Sequence, residues 1–209
     1  MTLHGSDLDE EVSSVLSTGT HDDLLSFYDD LSVRRDSERS HRERISGRVL
    51  ERLSIVSFRD DPRSARGFHT KAKNHYYWST QHLSGAESPL YQADARFDHG
   101  RTLVLEGILE MLPYASFSDA YGYLDRDTRN HEGITRHLID VGSSGAPQRS
   151  SHAMADGIEG IRTLNGLDGT YRAVLLEDPS PRTIRTVFER VRRIDRLGRA
   201  FGMLITYDR

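Results

Sequence analysis

Apolar residues recur at helical spacing near the amino terminus, in two stripes separated by Gly19. Residues 6–16 hold the first stripe and residues 20–31 the second, and their apolar members are Leu8, Val12 and Val15, then Leu24, Phe27, Tyr28 and Leu31. Ser6 and Thr20 precede the stripes and belong to the residue types that cap helices. The pattern predicts two short amphipathic helices with acidic outer faces.

Two longer helical patterns follow. Residues 34–58 predict a helix with Ile45, Val49, Leu53 and Val56 on its apolar face, despite Gly47 in its interior. Residues 101–112 form the most apolar run, with Val104, Leu105, Ile108, Leu109 and Leu112 on a broad face, and predict the central core helix. Between the two, Pro62 and Gly67 interrupt the pattern, so residues 59–73 are predicted to be an exposed loop.

The second half of the chain is also mostly helical in pattern. Helices are predicted over 116–124, 127–142, 152–164 and 181–200, with Ser180 as N-cap and Pro181 at the first position of the last of these. Residues 170–178 suit a helix or a strand, and residues 201–208 are rich in strand formers. The predicted fold class is therefore mainly α, with a short β element at the carboxyl end left open.

Charge alternates along the chain, although the net formal charge is only −4. The balance is −8 over residues 1–33, +6 over 34–73, −7 over 74–180 and +5 over 181–209. Together with the Gly- and Ser-rich stretch at 142–151, this predicts an acidic helical arm (1–33), a helical core domain (34–141), a linker or mobile loop (142–151) and a carboxyl-terminal helical segment (152–209).

Composition excludes several function classes. The chain has no cysteine, which removes disulfides, thiolate metal ligands and cysteine nucleophiles. No apolar run reaches the roughly 18 residues of a membrane span, and the amino terminus lacks the pattern of a signal peptide. We therefore expect a cytoplasmic protein.

The predicted helix 181–200 has two faces. Its apolar arc contains Ile184, Val187, Phe188, Val191 and Ile194, and a second arc contains Arg185, Arg192, Arg196 and Arg199. Guanidinium groups bind phosphate and carboxylate equally well in two-point contacts. The arginines therefore indicate a solvated surface, a nucleic-acid phosphate site or a site for an acidic protein, and the sequence leaves these open.

Residues 161–176, IRTLNGLDGTYRAVLL, resemble the helix-hairpin-helix motif of DNA repair and recombination proteins. The matching positions are Leu164, Gly166, Leu167, Gly169 and Ala173. The resemblance implies that the turn around Gly166 and Gly169 holds a DNA phosphate through backbone N–H groups. Asp168 is inserted between the glycines and departs from the motif.

Residues 71–78 combine Lys71 and Lys73 with Tyr76, Tyr77 and Trp78, a mixture that suits phosphate contacts beside base stacking.

The histidine pairs at 75 and 82 and at 131 and 137 lack the spacing and third ligand of a metal site, and no catalytic motif is present. We expect no cofactor, no metal and no enzymatic activity. The predicted function is a nucleic-acid-associated protein that contacts phosphates; the alternative is an assembly or adaptor subunit, possible as a homo-oligomer, whose basic helix meets an acidic surface of a neighbour.

Overall fold

The computed structural model of the chain describes residues 5–34, 38–85, 87–112, 120 and 147–206. All regular secondary structure in these ranges is helical, which confirms the mainly α fold class. The helices are α1 (Gly5–Thr18), α2 (His21–Val33), α3 (Arg39–Ser57), α4 (Pro62–Gln81), α5 (Pro89–Met111), α6 (Ser151–Asn165), α7 (Asp168–Glu177) and α8 (Pro181–Thr206). None of these helices is long and apolar enough to cross a membrane.

The chain divides into two compact units, Met1–Ser84 and Gly85–Arg209. The acidic segment 1–33 thus shares a unit with residues 34–84, whereas the sequence predicted it as an arm beside a 34–141 core. The predicted helices at 116–124 and 127–142 and the first half of the 142–151 linker lie outside the described residues, apart from Ala120. The four-part organisation stays a prediction.

The first unit is built around the pair of α3 and α4, with α2 packed on α3 and α1 on both α2 and α3. The apolar stripes of α1 and α2 supply Leu8, Val12, Leu24, Phe27 and Leu31 to its core, as predicted. At the start of α2, Thr20 and Asp23 form a reciprocal capping box.

Helix α4 replaces the exposed loop predicted for residues 59–73, so that prediction is wrong. Asp61 caps the helix by accepting the N–H groups of Arg63 and Ser64, each at 3.1 Å, and Pro62 occupies the first helical turn. Proline at that position begins a helix rather than breaking one, because its missing N–H has no intrahelical acceptor there. The buried face of α4 carries Ala65 and Ala72, whose small side chains concealed the periodicity.

Hydrogen bonds between buried and partly buried polar side chains connect the helices of the first unit. The Tyr76 hydroxyl donates to Glu51 Oε2 at 2.9 Å, and the Ser40 hydroxyl donates to the Ser79 carbonyl at 3.0 Å. His75 lies between Glu43 and Tyr28, at 2.6 Å from the carboxylate and 2.8 Å from the phenol oxygen. Because an ionised carboxylate only accepts, His75 Nδ1 donates to Glu43, and in the neutral imidazole Nε2 accepts from Tyr28.

The second unit is built around α5, which contacts α6, α7 and α8. The sequence predicted a central core helix over 101–112, and α5 confirms it with buried residues that include Val104, Leu105, Ile108 and Leu109. Residues 171–177 are helical in α7, and α8 continues as a helix through Thr206, so no strand occurs in the described part of this unit.

Glycines bring the backbones of α5 and α6 into direct contact. A Cβ atom on Gly160 would lie 2.6 Å from the Gly100 carbonyl oxygen, and one on Gly107 would lie 2.6 Å from the Ala153 carbonyl oxygen. On the same helix as Gly160, a Cβ on Gly157 would lie 2.0 Å from the Phe201 ring of α8. We call Gly100, Gly107, Gly157 and Gly160 the glycine seam.

Candidate interaction surface

Helix α8 begins with a polar network that fixes its first turn. The Ser180 hydroxyl accepts the Thr183 N–H at 3.3 Å, and the Ser180 N–H donates to Asp178 at 3.1 Å. The Thr183 hydroxyl donates to the same carboxylate, and this hydrogen bond is the main cause that holds the pKa of Asp178 below its ordinary value. The predicted N-cap Ser180 and first-turn Pro181 are confirmed.

One face of α8 is packed against the rest of the second unit. Its buried residues are Thr183, Val187, Arg196, Leu197, Ala200, Phe201 and Leu204. Arg190 lies next to this face and forms a two-point ion pair with Asp94 of α5, with N···O distances of 2.9 and 3.2 Å. Its guanidinium also lies 5.0 Å from the centroid of the Phe97 ring. Burial would lower the pKa of Arg190, but the hydrogen bond and charge of Asp94 outweigh it and the pKa is raised.

A second face of α8 leaves large apolar side chains exposed. Ile184, Phe188 and Val191 keep 50%, 62% and 44% of their surface in solvent. They are spaced i, i+4 and i+7 and form one stripe along the amino-terminal half of the helix. We call these three residues the apolar stripe.

The apolar stripe corrects the predicted packing of this helix. The sequence placed Ile184, Val187, Phe188, Val191 and Ile194 on the buried face, but only Val187 is fully buried and Ile194 is half-buried. The cause is the length of α8. Because residues 201–206 continue the helix, Leu197, Phe201 and Leu204 define its packed side and rotate the amino-terminal apolar arc toward solvent.

The four predicted arginines do not form one exposed face. Arg185, Arg192 and Arg199 are exposed, whereas Arg196 is buried with only 8% of its surface in solvent. Arg199 pairs with Asp195 of the same helix at 3.0 Å, and the Arg192 guanidinium lies 5.7 Å from the Phe188 ring centroid. The arginines that border the apolar stripe are therefore Arg185 and Arg192.

The turn that resembles a helix-hairpin-helix connects α6 to α7. Gly166 and Gly169 are exposed, and Leu164 and Leu167 are buried beneath them. Asp168 begins α7 and forms a surface pair with Arg172 at 3.3 Å. The inserted carboxylate thus occupies the helix end where the motif would hold a phosphate.

Lys71 and Lys73 belong to α4 in the first unit, whereas the arginines belong to the second. Lys71 is exposed and shares a helical face with Trp78, seven residues later, which is 49% exposed. The Trp78 ring stacks on His82, with 5.9 Å between centroids. Tyr76, in contrast, is a core residue.

Three carboxylates of the second unit lie close together. Oxygen atoms of Glu106 and Glu110 of α5 and Asp156 of α6 are within 4.8 Å of one another. Such an acidic group could hold a cation, but acidic clusters at protein surfaces are common and this one has no histidine ligand among the described residues.

The chain matches no protein family, no curated protein and no solved structure in comparisons with each. The resemblance to the helix-hairpin-helix motif therefore stays a prediction. The sequence predicted the helix that forms the candidate surface, but it placed the residues of the apolar stripe on the buried face. The continuation of helical spacing from Leu197 to Leu204 was the signal that could have shown their exposure.

Proposed function

We propose that this protein is an assembly subunit whose α8 surface binds an acidic helical surface of a second copy of the chain. The observation that carries the proposal is the apolar stripe. Three large apolar side chains on successive turns, exposed together, are typical of the centre of a protein–protein interface.

The charges around the apolar stripe support an acidic partner. Arg185 and Arg192 lie beside Ile184 and Phe188, and both are exposed. Apolar contact would supply most of the affinity, and the guanidinium groups would orient the partner by pairing with carboxylates at the rim. Arginine is also one of the residue types that are enriched among those that dominate binding energy.

The first unit offers a surface of the required charge. Helices α1 and α2 bury their apolar stripes and expose Asp9, Glu10, Asp22, Asp29 and Asp30. Residues 1–33 carry eight acidic side chains and no lysine or arginine. Where a single contact joins the acidic surface of one copy to the basic surface of the next, the pairing is heterologous and produces rings or filaments.

The same features make a nucleic-acid surface the weaker proposal. Ile184 and Val191, on either side of Phe188, offer no polar contact to a phosphate backbone. Arg190 is paired with Asp94 and Arg196 is buried. Arg185 and Arg192 are the two arginines that border the stripe, fewer than the six or more phosphate contacts that make DNA binding strong and steeply salt-dependent. Nucleic-acid binding is kept as an outcome of the test.

The test is the mass of the full chain by light scattering on a size column, across protein concentration at about 0.15 M ionic strength. We expect the mass to rise with concentration and the Phe188→Ser variant to weaken association by about tenfold or more. Arg185→Glu with Arg192→Glu should also weaken it. The matched controls are Leu176→Ser, which removes an apolar side chain that is 86% exposed on α7, and Arg162→Glu on α6.

Two results would overturn the proposal. One is a monomer at every concentration. The other is a mass that changes only when a mixed DNA oligonucleotide is added, which would return the function to the predicted nucleic-acid class. Loss of association in the control variants as well as in Phe188→Ser would assign the assembly to a different surface.

A further inference from the structure

One face of α4 combines exposed aromatic, amide and cationic side chains. At 3.6 residues per turn, the members of this face fall within an arc of about 120° around the helix. All five are exposed, and they are Lys71, Asn74, Tyr77, Trp78 and Gln81. We call these five residues the α4 surface. The buried residues of α4 lie on the opposite side, which packs against α3, so the described part of the fold leaves the α4 surface in solvent.

Two aromatic rings of the α4 surface are held in place by ring contacts. Trp78 and Tyr77 keep 49% and 43% of their surface in solvent. The Trp78 ring stacks on His82 with an angle of 17° between the planes, and it meets the Tyr77 ring edge to face with 5.3 Å between centroids. Because neighbouring rings already orient them, a planar ligand that stacks on these rings has few side-chain rotations to order. The α4 surface is therefore a preformed platform for planar groups.

The charge of α4 favours an anionic partner. The helix contains four cations and no aspartate or glutamate, and the cations are Arg63, Arg66, Lys71 and Lys73. Lys71 is exposed and has no ion-pair partner among the described residues. Arg63 is exposed at the start of the helix, where the charge of the capping Asp61 offsets part of its own. A ligand along this face meets cationic groups beside aromatic rings, and a chain of planar bases joined by phosphates is complementary to both.

We propose that the α4 surface binds single-stranded nucleic acid without sequence preference. Bases would stack on Trp78 and Tyr77, and phosphates would pair with Lys71 and Arg63. Lys71 and Trp78 are seven residues apart, about 10 Å along the helix axis, so a strand that follows α4 meets both. An acidic protein segment would use the cations, but its carboxylates offer no ring to stack. The inference concerns a different surface from that on α8 and does not depend on assembly.

The experiment uses the fluorescence of Trp78, which is the only tryptophan of the chain and therefore reports binding at the α4 surface itself. The full chain is titrated with a single-stranded oligothymidylate of about ten nucleotides at about 0.05 M salt. We expect quenching with a dissociation constant of about 10–100 µM. A plot of the logarithm of the binding constant against the logarithm of the salt concentration should have a slope of about −1.4, the value for two phosphate contacts to a single strand.

Two further probes separate stacking from charge. An abasic oligonucleotide of the same length has the same phosphates without bases, and we expect it to bind at least about tenfold more weakly. A glutamate peptide of the same charge should also bind at least about tenfold more weakly. Equal binding of the abasic strand would leave the rings without a role, and equal binding of the peptide would assign the surface to an acidic protein. Either result overturns the proposal.

Substitutions are compared by the fluorescence anisotropy of a dye-labelled oligothymidylate. Trp78→Ala should weaken binding about tenfold, and Trp78→Phe should weaken it less because a ring remains for stacking. Lys71→Gln should weaken binding and reduce the salt slope to about −0.7. The matched controls in the second unit are Leu176→Ala, which removes an exposed apolar side chain, and Arg162→Gln, which removes an exposed cation. Both should leave the affinity unchanged.

Three results would contradict the assignment to α4. The first is no quenching of Trp78 at about 0.05 M salt. The second is an unchanged affinity in both Trp78→Ala and Lys71→Gln. The third is loss of oligonucleotide binding in Phe188→Ser with binding retained in those two variants, which would place nucleic acid on α8 instead. Self-association is measured without oligonucleotide, so the two proposals fail separately.

Discussion

The helix pair α3–α4 in the first unit and the pair α5–α6 in the second are the most extensive helix contacts of the described chain, and they are held differently. Hydrogen bonds join the first pair, such as the buried bond from Tyr76 to Glu51 at 2.9 Å and the partly buried bond between His75 and Glu43 at 2.6 Å. In the second pair the glycine seam lets backbone meet backbone, with Gly160 against the Gly100 carbonyl. One contact is specified by side chains that must be present, the other by side chains that must be absent.

The largest effect is expected at the glycine seam. Gly160→Ala places a methyl group 2.6 Å from the Gly100 carbonyl oxygen and 2.7 Å from the Val104 amide nitrogen, and neither backbone atom can rotate away. The helices must separate, which should lower the free energy of unfolding by about 3 kcal/mol. Hydrogen exchange would show this as lost amide protection in α5 and α6. Unchanged protection in those helices would disprove the close contact.

A smaller loss is expected when the same substitution is made in the first unit. In Gly47→Ala the new methyl group would lie 2.7 Å from Tyr76 Cε1, a side-chain atom, but the ring is fully buried and its hydroxyl is bonded to Glu51. We expect a loss of about 2 kcal/mol, measured by urea unfolding. Exchange should rise in α3 and α4 and not in α5 and α6.

Tyr76→Phe tests the hydrogen-bonded side of the comparison. It removes the donor to the buried Glu51 carboxylate and should cost about 1.5 kcal/mol. The phenylalanine ring is no longer tied to Glu51 and can shift away from residue 47. We therefore expect the double variant with Gly47→Ala to lose less stability than the sum of the single variants. Strict additivity would show that the two contacts are independent.

The hydrogen-bonded pair should also respond to acid. The hydrogen bond with His75 is the main cause that lowers the pKa of Glu43 from its ordinary value of 4.5. A lowered pKa in the folded state gives stability that is fully present above the unfolded value and is lost as the pH falls through the folded value. Since the pair is partly exposed, the loss should be below about 1 kcal/mol. Glu43→Gln should remove this part of the pH dependence in acid unfolding curves of the first unit.

The smallest expected change is a gain. Gly67 in α4 and Gly202 in α8 lie inside helices, and a Cβ on either would meet no atom within 4 Å. Gly67→Ala and Gly202→Ala should each raise the free energy of unfolding by about 0.8 kcal/mol, because alanine loses less backbone entropy in a helix. They are the matched controls for Gly47→Ala and Gly160→Ala. A loss of stability in both would point to alanine itself rather than to the contacts.

Apolar spacing was enough to predict α1, α2, α3 and the core part of α5, since their large residues mark the buried face directly. Spacing failed at α4, where Ala65 and Ala72 form the buried face and Pro62 begins the helix. It also misplaced the packed side of α8, because that side is decided by residues beyond 197. Ion pairs of single arginines, such as that between Arg190 and Asp94, join positions 96 residues apart and leave no local signal in the sequence.

The glycine seam also gives a spacing of residues that can be recognised in the sequence, which most contacts do not. Gly107 and Gly160 leave no room for a Cβ against the backbone of the facing helix, and Gly157 leaves none against the Phe201 ring. Together with Gly100 they give a fixed spacing in the sequence, with six residues between Gly100 and Gly107 and two between Gly157 and Gly160. Surface charges and core aliphatic residues can change during evolution without moving the backbone, but a larger residue at Gly107 or Gly160 fits only if α5 and α6 move apart. A remote homologue that keeps this glycine spacing within two apolar helical patterns would therefore be recognisable even where most of its other residues differ.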